Sequence, residues 1–99
     1  GRATHPWIGA VTAEITQDMA DRFGTPSGLF VQDVSEGGPA DAAGLEAGDI
    51  ITRLSGNPAT SLGLGWLLVS AKVGDDIPIE FARDGVLQNA TLTLAEQPA

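Results

Sequence analysis

Apolar residues change their spacing along this chain, and each change marks an element. Ala10-Val11-Thr12-Ala13-Glu14-Ile15 alternates with period two, which predicts a half-buried strand, with Pro6-Trp7-Ile8-Gly9 before it as a turn. Thr16 then caps a short helix through Phe23 that carries Met19, Ala20 and Phe23 on one side, and Gly24 suits the left-handed residue that ends it. Leu29 to Val34 reads as a strand. The turn Gly37-Gly38-Pro39 follows, and Pro39 at the first helical position starts a helix to Ala43. Asp49 to Leu54 is the next strand, closed by a Gly56-Asn57-Pro58 turn. Ser61 caps a further helix reaching Ala71 or Lys72, in which Gly63 and Gly65 each cost roughly 1 kcal/mol against alanine. Ile77 to Ala82, the turn Arg83-Asp84-Gly85 and Val86 to Leu94 complete a hairpin. The predicted class is mainly β with two principal helices (α+β), a small, partly open β-barrel or sandwich.

Ninety-nine residues suffice for one domain with one core, and the apolar share of 42% is that of a globular protein. Thirteen acidic residues against five basic ones give a net charge of −8. That balance excludes nucleic acid and anionic membrane surfaces as partners, and it repels strongly acidic peptides. Without cysteine there is neither a disulfide framework nor a thiolate metal site. No apolar run reaches the length of a membrane-spanning helix. The chain starts at Gly1-Arg2-Ala3-Thr4 without Met, and is expected to be a fragment whose targeting segment lies elsewhere.

Candidate chemistry centres on one segment. Holding a free chain terminus takes backbone N–H groups converging on a carboxylate, and an unpaired strand edge to which the ligand backbone can add. Trp7-Ile8-Gly9-Ala10 running into Val11 and Thr12 offers both, with Gly9 free to adopt positive φ. Trp7, Ile8 and Val11 then edge an apolar pocket. The opposite wall is the helix after Ser61, where Leu64 and Leu68 share a face and line the groove, with Leu67 the next candidate because a one-residue shift of helix phase brings it in.

Other residues carry plainer readings. Trp7 either lines the groove or plugs the bottom of the barrel. Trp66 reads as core or as packing against a parent protein, and His5 as a solvated bystander. Asp18, Asp21 and Asp75-Asp76 read as solvated faces, so no metal is expected, and no cofactor. The lone His5 beside Pro6, without a Gly-x-Ser-x-Gly elbow, cannot supply a serine hydrolase triad, and no phosphate-cradling glycine loop is present. The chain is expected to be non-catalytic.

Trp7-Ile8-Gly9-Ala10 together with Gly38-Pro39-Ala40-Asp41-Ala42-Ala43-Gly44-Leu45 and Gly48-Asp49-Ile50-Ile51 resembles the PDZ domain, in particular that of bacterial HtrA/Deg-type serine proteases. The resemblance runs from Pro6 to Leu94. Two features match the bacterial type: the helix Thr16–Phe23 after the groove strand, and a C-terminal hairpin whose last strand replaces an N-terminal one. His5 stands where the family often has Arg. The resemblance implies a linker remnant over 1–5 and a single peptide-binding domain over 6–99. It implies capture of apolar C-terminal tails of unfolded proteins, with Ile8, Gly9 and Ala10 forming the carboxylate loop. It also implies a trypsin-like parent protease domain as partner and an extracytoplasmic, periplasmic or envelope location. The alternatives are a structural or regulatory domain with a self-occupied groove, or a PDZ domain of another protease or secretion component.

Overall fold

The computed structural model describes residues 5–98, so the linker reading of residues 1–4 lies outside the described residues. Five strands form one antiparallel sheet: β2 (Ala10–Ile15), β3 (Gly28–Val34), β4 (Ile50–Leu54), β6 (Asp76–Arg83) and β7 (Val86–Thr93), side by side in that order. The short β5 (Asn57–Pro58) folds back on β4, and β1 (Pro6–Trp7) pairs with β8 (Ala95–Glu96) as a separate ribbon. The sheet does not close, and β2 and β7 are its edges. Helices α1 (Gln17–Phe23), α2 (Pro39–Ala42) and α3 (Ser61–Ser70) fill the connections. This is the mainly β, partly open architecture read from the sequence.

Local chemistry explains most boundaries. Thr16 Oγ1 accepts the Met19 N–H, and Gly24 at φ 66° stops α1. Asp84 and Gly85 both take positive φ, 52° and 78°, which matches the right-handed twist of the β6–β7 hairpin. Three expectations change. Pro6-Trp7 is a strand because β8 returns to pair with it, and the Gln97 N–H bonds the His5 carbonyl beyond it. The reversal after β4 falls on Ser55 and Gly56, both at positive φ, so Asn57-Pro58 already belongs to the returning strand. Thr60 rather than Ser61 caps α3: its Oγ1 accepts the Gly63 N–H at 2.9 Å, and Ser61 is the first helical residue.

The core lies between the inner sheet face and α3. Leu29, Val31, Ile51, Leu92 and Leu94 are its largest fully buried side chains, each worth about 1.5–3 kcal/mol of transfer free energy. Their period of two along β3 faces Leu29 and Val31 inward and turns Phe30 out. Helix α3 presents Leu64, Leu67, Leu68 and Ala71 to this core, an i, i+3, i+4, i+7 set. Trp66 is not core, since 66% of it is exposed, at the border of a cavity with Leu54 and Pro58.

One polar cluster was not legible beforehand. Asp49, 2% exposed, receives two hydrogen bonds from the Arg83 guanidinium, Nε to Oδ1 at 3.0 Å and Nη2 to Oδ2 at 2.7 Å. The Glu46 N–H adds a third at 2.9 Å, and Arg83 also reaches the Gly44 carbonyl and the Glu46 carboxylate. Burial pushes the Asp49 carboxyl up, but the Arg83 hydrogen bonds, the Glu46 amide and the Arg83 charge outweigh it and hold the group below its ordinary value. This corner ties the α2–β4 loop to the β6–β7 hairpin.

Candidate functional site

The loop between β1 and β2 is held from below by the start of α2. The Ala40 N–H bonds the Ile8 carbonyl at 2.8 Å, and the Ser35 N–H bonds the Gly9 carbonyl at 2.8 Å. Gly9 sits at φ 73°, where a Cβ would stand 3.1 Å from Pro39 Cδ and 3.2 Å from Gly38 Cα. Gly38 is equally crowded, with the Trp7 ring 3.2 Å from the place of its absent Cβ. The two sequence signatures, Trp-Ile-Gly-Ala and Gly-Pro-Ala, are thus one packed unit. Neither the Ile8 nor the Gly9 N–H finds an acceptor among the described residues, although both residues are buried. Because the Gly9 carbonyl already bonds Ser35, ladder alternation turns the Ala10 N–H and C=O to the open edge of β2.

Helix α3 lies along that edge and runs opposite to β2. At its start, the Ser61 N–H bonds Glu14 Oε1 at 2.6 Å; at its end, Leu68, Val69 and Ala71 border a cavity with His5 and Pro6. A trough therefore extends from the Ile8–Gly9 loop to Glu14, between β2 and α3.

The sequence-predicted residues fall at different places in it. Gly9 and Ala10 lie at the head of the trough, with Ala10 half-buried against the core. Ile8 contributes its backbone there, while its side chain, 3% exposed, belongs to the core. Trp7 is half-buried against Gly38, supporting the loop from beneath. Val11 is 54% exposed, and Thr12 is half-buried along the edge strand. Leu68, with Leu64 on the same side by helix phase, borders the β1 side. Leu67 packs on the same core and also borders a cavity with Leu54, Pro58 and Trp66.

Two contributors escaped sequence reading. Pro39 seats Gly9, and its only advance signal was its place in the Gly-Gly-Pro run. Glu14 closes the far end of the trough, an arrangement that needs α3 to be placed. Gly63 also gains a reason: a Cβ there would stand 2.9 Å from the Thr60 Oγ1 that caps the helix. Among the described residues, no three His, Cys, Asp or Glu side chains come together to hold a metal ion.

An open antiparallel sheet with a helix along its edge strand and a glycine loop at the head of that strand is the PDZ-type fold. A sequence model of the PDZ domain matches residues 6–94, and the chain belongs to that family. Its likeness is to HtrA/Deg-type members. It is 37% identical over 101 residues to a protein of Ectopseudomonas mendocina named "Probable periplasmic serine endoprotease DegP-like", covering 99% of this chain and 21% of that one. A protein of the same name from Halomonas elongata is 30% identical over the same shares. The chain thus spans about a fifth of the length of the curated relatives it matches. Among solved structures, the HtrA-type protease AlgW with a decapeptide superposes with a TM-score of 0.81 at 25% identity, over 97% of this chain and 30% of that one. The HtrA3 PDZ domain bound to a phage-derived ligand gives 0.80 at 23% identity, over 96% and 89% of the two chains.

Proposed function

We propose that this domain is a non-catalytic peptide-binding module that takes up the apolar C-terminal ends of other polypeptides. The ligand adds as a strand to the open edge of β2, with its carboxylate on the Ile8 and Gly9 amides. The observation that carries this reading is that pair of N–H groups, on two buried residues and without an acceptor among the described residues, at the head of an unpaired strand edge. A buried amide left without a partner costs about 1–3 kcal/mol, so a carboxylate placed there gains charge-assisted hydrogen bonds and removes the penalty. The solved AlgW protease with its decapeptide supports a peptide as the ligand class.

The likeness to DegP-like relatives supports a position beside a trypsin-like protease domain in the cell envelope. There it presents or reports unfolded chains. Affinity near the micromolar level, about −8 kcal/mol, fits a short added strand.

Calorimetry with an apolar-ended peptide, as free acid and as C-terminal amide, tests the reading. The free acid is expected to bind at least tenfold tighter. Equal affinities would contradict carboxylate recognition. Charged substitutions at Ile8 or Gly9 are poor tests, because the first disrupts the core and the second the Pro39 contact.

A further inference from the structure

We infer that Glu14 is a specificity-determining residue of the trough, favouring peptides with a basic side chain at the fifth position from the C-terminus. The inference rests on the strand-addition reading above and specifies its ligand class.

Register follows from the head of the site. A carboxylate on the Ile8 and Gly9 amides places the ligand's last residue opposite Ala10, with its N–H toward the Ala10 carbonyl. An antiparallel strand then steps back one residue for each step along β2, so the third residue from the end stands opposite Thr12 and the fifth opposite Glu14. Residues directly opposite in such a pair project to the same face. The Glu14 carboxylate reaches the start of α3, so the fifth ligand side chain projects toward α3 beside it.

Charge there is unopposed. Glu14 is the only ionisable side chain on either wall, β2 or α3. It is half-buried, and Oε1 is held at 2.6 Å by the Ser61 N–H. Oε2 makes no hydrogen bond or ion pair among the described residues. Beside it lies a cavity of about 250 Å³ lined by apolar residues such as Ile15, Pro58 and Ala59 as well as by Gln17, Ser27 and Thr52, in which Glu14 is again the only ionisable group. A lysine or arginine entering here meets a carboxylate whose orientation is already fixed. A ligand glutamate meets the same carboxylate as a like charge.

The test uses octapeptides with one apolar C-terminus, carrying Lys, Gln or Glu at the fifth position from the end. A fourth peptide carries Lys at the eighth position instead, and binding is followed by fluorescence anisotropy at 0.15 M salt. The fifth-position Lys peptide is expected to bind about five-fold tighter than the Gln peptide, and the Glu peptide about five-fold weaker. The eighth-position Lys should give less than twofold. Glu14→Gln keeps an oxygen for the Ser61 N–H but removes the charge, so the three peptides should fall within twofold of one another in this variant. An unchanged ranking in Glu14→Gln, or equal gains from Lys at either position, would overturn the role of Glu14 and leave the strand-addition reading intact. Binding by none of the peptides would overturn that reading itself.

Discussion

The two ends of α2 lead to polar sites of opposite character. Before it, Gly38, Pro39 and Ala40 support a loop whose Ile8 and Gly9 amides have no acceptor among the described residues. After it, Gly44, Glu46 and Asp49 meet Arg83 in a corner where the acid is 2% exposed and its carboxylate accepts three hydrogen bonds. No buried side-chain N or O among the described residues lacks a partner. The corner's hydrogen-bonding capacity is directed inward and stabilises the fold. The loop's amides have no such internal use among the described residues, and in the proposed reading a ligand completes them.

Breaking the corner should have the largest effect on stability and little on the loop. Asp49→Ala removes the acceptor of both Arg83 hydrogen bonds and is expected to cost about 2 kcal/mol. That is roughly 10 °C in Tm for a domain of this size, readable by thermal melts. Peptide affinity below the melt should stay within twofold; a parallel loss of affinity would mean that the two sites are coupled. The corner also has a pH signature. Its carboxyl is held below its ordinary value, so its contribution is complete above the ordinary carboxylate range and is lost as pH falls through the folded value. The stability gap between wild type and Asp49→Asn, measured by urea unfolding, should be constant near neutral pH and shrink on acidification into that range. A gap that widened on acidification would contradict the assignment.

Perturbing the loop should do the reverse. Gly9→Ala puts a Cβ at positive φ and 3.1 Å from Pro39 Cδ, at a cost of about 1–2 kcal/mol. Affinity for a free-acid peptide should fall at least tenfold, because the two amides no longer converge. Wild-type affinity in this variant would separate the amides from binding. The smallest effect belongs to the helix wall. Gly65 has nothing within 4 Å of an added Cβ, so Gly65→Ala should stabilise by up to about 0.8 kcal/mol, whereas Gly63→Ala should gain less because it crowds the Thr60 cap. Equal gains at both positions, read by urea unfolding, would remove the packing reason for Gly63.

The sequence disclosed what depends on neighbours in the chain. The period of two over Ala10–Ile15, the Thr16 cap with Gly24, and the Asp84-Gly85 reversal were legible because each is decided within a few residues. Misread features depend on distant partners. Pro6-Trp7 becomes a strand only because Ala95-Glu96 comes to lie beside it. The exposure of Trp66 and the inward turn of Ile8 depend on which helix and loop faces meet the core. The pairing of Asp49 with Arg83 joins residues 34 apart, and that of Glu14 with Ser61 residues 47 apart, so no local pattern announces either. In the trough, sequence located the backbone segment that carries the amides. It did not separate Leu68 from Leu67, a difference set by the rotation of α3.

The most direct test of the central claim is a two-dimensional NMR titration of the isotope-labelled domain with an apolar-ended peptide, as free acid and as amide. The Ile8, Gly9 and Ala10 amide signals are expected to shift with the free acid, Ile8 and Gly9 to stay in place with the amide, and the Asp49–Arg83 corner to be silent with both. Equal shifts of Ile8 and Gly9 with the two peptides, or none with either, would contradict that claim.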